Sequence, residues 1–150
     1  KENLGVEYAV IKWPDQTLNK KVLKESRKII ENSEIAPFFL KVFGIQLHPD
    51  GCIILKCVDE RKEIFNLREK LINNVKGIPK KQSSWAHIPL GRILSPVGSE
   101  TMQKLKRLIT EIDNDINHNL LINSVHIVHE QQWYMEKKDY LFTKNLNKRS

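Results

Sequence analysis

Trp85-Ala86-His87-Ile88-Pro89-Leu90-Gly91-Arg92 is the stretch on which the reading of this chain turns. Ala86, Ile88 and Leu90 recur at every second position, the period of a strand with one buried face, here read from Trp85 to Leu94. The other side carries His87, Pro89 and Gly91, which is poor in bulk and suited to lining a cleft. An imidazole that trades a proton near neutral pH, beside the fixed charge of Arg92 and just after Lys80-Lys81, fits chemistry on a phosphate ester. Strict alternation puts Arg92 on the core side. A bulge at Pro89 or Gly91 re-aims it, and without one Arg92 makes an ion pair at the strand end. Trp85 is either packing at the head of the strand or a stacking surface for a base. Lys80 and Lys81 are either solvated loop lysines or the mouth of the cleft.

Outward from that strand, the pattern alternates between strand and helix. Val6 to Lys12 reads as a strand, with Tyr8 and Val10 on one side, ended by Pro14-Asp15. Leu18, Val22, Ser26 and Ile29, joined by Leu23 and Ile30, recur at helical spacing and predict an amphipathic helix over Thr17 to Asn32. Phe38 to Gln46 is a strand apolar on both faces. His48-Pro49-Asp50-Gly51 has the residues of a type I turn and predicts a hairpin into Cys52–Val58, with His48 as an exposed turn residue. Ile64, Leu67, Leu71 and Val75 mark a helix from Glu60 to Val75. Ser99 is a cap for a third helix carrying Met102, Leu105, Ile109 and Ile112. Leu121 to Glu130 follows as a strand and Tyr140 to Leu146 as a short edge strand. The order argues for one α+β domain over residues 1–150, with helices packed outside two related sheet halves.

Composition sets the surroundings. At 150 residues, with 40% apolar and 29% charged side chains, the chain has the makings of a single globular core. No apolar run is long enough to span a bilayer, and no signal peptide is visible, so no membrane role is expected. The net charge of +7 favours polyanionic partners. Lys20, Lys21, Lys24, Arg27 and Lys28 share one segment, but Glu25 and Glu31 interrupt the run, so it reads as a solvated helix exterior. Cys52 and Cys57 point to opposite faces of one strand and cannot pair, which fits a reducing, cytoplasmic setting. No spacing of Cys, His and acids points to a metal, and no cofactor is expected.

Taken together, the segments resemble the two-histidine (2H) phosphoesterase superfamily, the LigT-like or 2′,5′ RNA ligase-like proteins. His87-Ile-Pro-Leu-Gly-Arg92 looks like the second His-x-Thr/Ser motif of that family, with its trailing arginine. Pro37-Phe-Phe-Leu-Lys-Val-Phe-Gly44, the following hairpin and Phe65-Asn-Leu-Arg-Glu-Lys-Leu71 look like the middle of its fold. Trp133-Tyr134 falls where relatives carry a tyrosine before their last strand. The resemblance implies a two-lobed fold of antiparallel sheets with helices outside and a cleft between the lobes. It implies a cyclic phosphodiesterase, a hydrolase acting on an RNA end or nucleotide phosphodiester, at a 2′,3′-cyclic phosphate or a 2′-5′ linkage. His87 is then a catalytic acid or base and Arg92 holds the phosphate.

Three positions depart from the family pattern. Tyr8, in Tyr8-Ala-Val-Ile11, stands where the first motif has its histidine, and Val10 where a hydroxyl residue belongs. Pro89 replaces the hydroxyl residue of the second motif and has no N–H to offer a phosphate. Only seven residues precede Tyr8, where the family pattern has a strand and a helix, so an amino-terminal truncation of the sequence is expected. A phenol with a pKa near 10 is a possible acid and a poor base, and each proton-transfer role is worth about 10²–10⁴ in rate. His126 and His129 are candidate substitutes, on a strand expected beside that of His87, and alternation lets only one face the cleft. The plain reading is ordinary strand histidines, and of His118 a loop residue. The alternative is a non-catalytic module that binds a nucleotide or RNA end, or a protein partner.

Overall fold

The computed structural model describes residues 5–13, 15–131 and 137–147. Nine elements follow in order: α1 (Lys20–Glu31), β1 (Phe38–Leu47), β2 (Cys52–Val58), α2 (Glu63–Asn74), β3 (Ala86–Arg92), α3 (Ser99–Asp115), β4 (His118–Ile122), β5 (Ser124–Glu130) and β6 (Lys138–Asn145). The class is α+β. Four antiparallel strands form a sheet in the order β3-β2-β1-β4, and β5 and β6 pair as a separate two-stranded sheet.

The alternation of β1 decides which side of the sheet is core. Phe38, Leu40 and Val42 are buried while Phe39, Lys41 and Phe43 between them are exposed. The buried set meets Val22 and Ile30 of α1, Ile64, Leu67 and Leu71 of α2, Cys57 of β2, and Ala86 and Ile88 of β3. Val125, Ile127 and Leu146 extend the same core to the small sheet. Each fully buried aliphatic or phenyl side chain contributes about 1.5–3 kcal/mol.

Local chemistry sets the element ends. Asn19 caps α1, its Oδ1 accepting from the N–H of Lys21 at 2.9 Å and of Val22 at 3.3 Å, so the helix begins after Thr17 and Leu18. At its far end Lys144 of β6 donates to the carbonyls of Ile30, Glu31 and Ser33, which neutralises the carbonyl end of the helix. The hairpin closes through Gly51 N–H to His48 O at 2.9 Å, with Gly51 at φ +85°, a conformation that favours glycine. Asp59, buried ahead of α2, accepts from the N–H of Ile64 at 2.7 Å and takes the part of a cap.

Four features differ from the sequence reading. Residues 5–10 form no strand. Their backbone groups are satisfied by side chains instead: Arg68 donates to the carbonyls of Glu7 and Tyr8, and the Gln82 carboxamide both accepts from Val10 N–H and donates to Val10 O. The predicted strand from Leu121 to Glu130 is two strands in different sheets, parted at Asn123. His118 is not in a loop but opens β4, opposite Val42. Gly98, not Ser99, is the cap residue of α3. The pair Trp133-Tyr134 and Pro14 lie outside the described residues.

The second side of the sheet carries α3, which rests on β1 with none of its residues buried. Its anchor is Asp113, whose Oδ1 accepts from Ile45 N–H at 2.6 Å and pairs with Lys56 Nζ at 3.1 Å. These contacts hold the Asp113 carboxyl below the usual carboxylate range. Gly44 makes room for them, since a Cβ there would collide with the Lys56 side chain and the Asp113 carboxylate.

Candidate functional site

His87 stands on β3, the edge strand of the larger sheet, opposite Lys56 of β2, which itself lies opposite Gly44 of β1. Residues directly opposite each other in an antiparallel ladder point to the same side. His87 therefore belongs to the α3 side of the sheet, while its neighbours Ala86 and Ile88 enter the core. An edge strand is also where a proline, which lacks a ladder donor, is tolerated, as at Pro89.

The ladder between β2 and β3 contains a bulge. Ile53 faces Gly91 and the next residue, Ile54, faces Pro89, so Leu90 is the extra residue. Arg92 lies opposite Cys52 and His87 opposite Lys56. Cys52 and Lys56 share one side of the regular strand β2, so the bulge brings Arg92 to the side that carries His87. Along β2 that spacing is about 13 Å. Arg92 is engaged there by Asp50 at 2.7 Å, across the hairpin. The bulge and the ion pair, which alternation alone offers as alternatives, are both present.

Around the imidazole the structure assembles groups from distant parts of the chain. The Trp85 ring stacks on it at 5.3 Å between centroids and 29° between planes, and the His48 ring lies 5.7 Å from that of Trp85. His48 is thus half-buried against an aromatic surface rather than an exposed turn residue. Ser83 Oγ is 3.5 Å from His87 Nδ1. Ser83 is held in turn by Arg68, buried in α2, which donates to the Ser83 carbonyl at 2.5 Å and to those of Glu7 and Tyr8. Burial draws the His87 pKa below its ordinary 6.5; the Glu7 carboxylate and the Trp85 carbonyl pull the other way, and Arg68 and His48 add to the lowering. Near neutral pH the ring is neutral and able to accept a proton.

The other candidate residues lie elsewhere. Tyr8 joins the margin of the core; its hydroxyl is buried without a hydrogen-bond partner, and burial together with Asp59 and Glu63 raises its pKa well above the ordinary phenol range. It stays protonated at any physiological pH. His126 and His129 are on β5, which pairs with β6 and not with β3, so the expected neighbourhood to His87 does not exist. His126 is satisfied locally, with Ser124 Oγ at 2.9 Å and Thr143 Oγ1 at 2.8 Å, and Tyr140 edge-on at 5.2 Å. Lys80 and Lys81 are exposed, as are Lys20, Lys21, Lys24, Arg27 and Lys28 on α1, where Glu31 pairs with Arg27 at 2.8 Å.

Glu7, His48, Lys56, Arg68 and Ser83 are the members of this neighbourhood that periodicity does not reveal. No local pattern marks them; Ser83 meets His87 through the turn that leads into β3, and the others through strand pairing, the hairpin and the packing of the amino-terminal segment and α2. Among the described residues no group of three or more His, Cys, Asp or Glu side chains is placed to hold a metal ion. Both cysteines are free thiols, and no described helix is long and apolar enough to cross a membrane. No protein-family model, curated protein or solved structure matches the chain.

Proposed function

We propose that this chain is a two-lobed, 2H phosphoesterase-like domain that takes the phosphodiester of an RNA end or a nucleotide, a 2′,3′-cyclic phosphate or a 2′-5′ linkage. The observation that carries the reading is the shared side of β3: a neutral imidazole at His87, an indole stacked on it, and Arg92 turned to the same side by the Leu90 bulge. In this role His87 accepts the proton of the attacking water or sugar hydroxyl. Trp85 offers a flat face to a base, and Arg92, released from Asp50, neutralises a phosphate along the strand.

One observation favours a second reading, a module on the same fold that binds without turnover. The hydroxyl of Tyr8 is shut in beside Asp59 and Glu63, so Tyr8 does not serve as the second proton carrier. A turnover assay on 2′,3′-cyclic nucleotides, comparing the protein with His87→Ala, separates the two. Catalysis predicts a fall of at least about 10²-fold in the variant. Binding to the parent without turnover supports the module, and absence of both defeats the phosphodiester reading.

A further inference from the structure

A second feature lies on the α3 side of the larger sheet and shares no residue with the His87 group. It is a hollow of about 360 Å³ lined by Phe39, Lys41, Glu60, Asn117 and Asn119. The register explains why these residues meet. Lys41 lies opposite Asn119 on β4, and Phe39 opposite Leu121. Alternation then places Phe39 and Lys41 on one face with Asn119, and Asn117 two residues before it continues that face. Glu60 arrives from the other flank, since Lys41 lies opposite Val58 at the end of β2.

The chemistry of the lining is unspent. Lys41, Glu60, Asn117 and Asn119 carry no side-chain hydrogen bond or ion pair among the described residues. Phe39 stands 62% exposed at one end of the lining, opposite Leu121, and Lys41 lies between Asn119 and the strand end that leads to Glu60. A phenyl face beside one ammonium, one carboxylate and two carboxamides offers a planar, hydrogen-bonding ring both a stacking surface and an edge reader. A volume of this size is within the range of small-ligand sites.

From this placement we infer that the hollow is a guanine-selective base site, receiving a nucleotide or an unpaired base of RNA. Only guanine presents two adjacent donors, N1–H and the exocyclic amino group, to the two oxygens of one carboxylate. Its neighbouring O6 is an acceptor for the Lys41 ammonium. Adenine offers Glu60 one donor on that edge, and its N1 meets the carboxylate as an acceptor against an acceptor. Phe39 stacks on the ring of any base, so it supplies affinity without preference. Asn117 and Asn119 complete the rim, and the net charge of +7 draws in the phosphate.

Calorimetric titration with GMP, AMP, CMP and UMP tests this. The expected result is GMP at least tenfold tighter than AMP, a preference lost in Glu60→Gln, in which one acceptor becomes a donor. Phe39→Ala weakens all four by about tenfold. Both positions are exposed, and circular dichroism checks that each variant folds. His87→Ala keeps the GMP preference, so failure here is distinguishable from failure of the phosphodiester reading. Equal affinity for GMP and AMP overturns the inference, as does no binding at millimolar GMP, a preference that survives Glu60→Gln, or its loss in His87→Ala.

Discussion

At Arg68 a full positive charge sits only 4% exposed, its ring neighbour Phe65 at 5.3 Å and its N–H groups spent on three backbone carbonyls. Two of those carbonyls, of Glu7 and Tyr8, lie in the amino-terminal segment and the third, of Ser83, in the loop that leads into β3, so the guanidinium ties these two segments together. Arg68→Met removes three charge-assisted bonds at once and leaves half-buried acceptors without their donors. The expected cost is about 3 kcal/mol, read from the urea midpoint of the folded protein. Arg68→Lys keeps the charge but not the fork, and recovers less than half of the loss. The cysteines differ in the same residue-level way. Burial pushes the Cys57 thiol up to about 11, while Cys52 is partly exposed. A disulfide-exchange reagent at pH 8 is expected to label one thiol in the native protein and the second only on unfolding.

Among the helices, α3 is the most lightly packed. It has no buried residue, and its tie to the sheet is Asp113 against Ile45 N–H and Lys56. Asp113→Ala is expected to cost about 1 kcal/mol globally and to speed hydrogen exchange through α3 while β1 and α2 keep their protection. Equal loss of protection in all three elements contradicts this picture of α3. Elements made by local chemistry are the ones legible in the sequence. The hairpin is fixed by Pro49, Asp50 and Gly51 within four residues of one another, and the apolar stripes of α1 and α2 are read directly from spacing. Tyr8 to Ile11 has the alternation of a strand and is not one, because its backbone partners are side chains 60 or more residues away, at Arg68 and Gln82. The continuous apolar pattern from Leu121 hides the break at Asn123, since alternation does not report a change of sheet. In the candidate site, His87, Trp85 and Arg92 are visible as one motif, and the bulge at Leu90 is foreshadowed by Pro89 and Gly91. Arg68 and His48 are not visible, because only tertiary contact relates them to the imidazole, and Ser83 is not because nothing in the spacing shows that the chain turns back at that point.

For the molecule as a whole, pH links the site to stability. His87 and His126 both have folded-state pKa values below the ordinary 6.5, chiefly through burial. As pH falls through about 6.5, the unfolded chain takes up protons that the folded one resists, and stability declines until the folded-state values are passed. Urea midpoints are therefore expected to drop between pH 7.5 and pH 5, and His87→Gln with His126→Gln to flatten that decline. The most direct measurement concerns the His87 ring itself, followed by NMR through a pH titration with and without a nucleoside 2′-monophosphate. In the free protein the ring is expected to titrate below 6.5, and the bound phosphate to raise that value and move the ring and Trp85 indole signals together. A ring that ignores millimolar ligand, with Trp85 and Arg92 also unmoved, contradicts the claim that this side of β3 receives a phosphodiester.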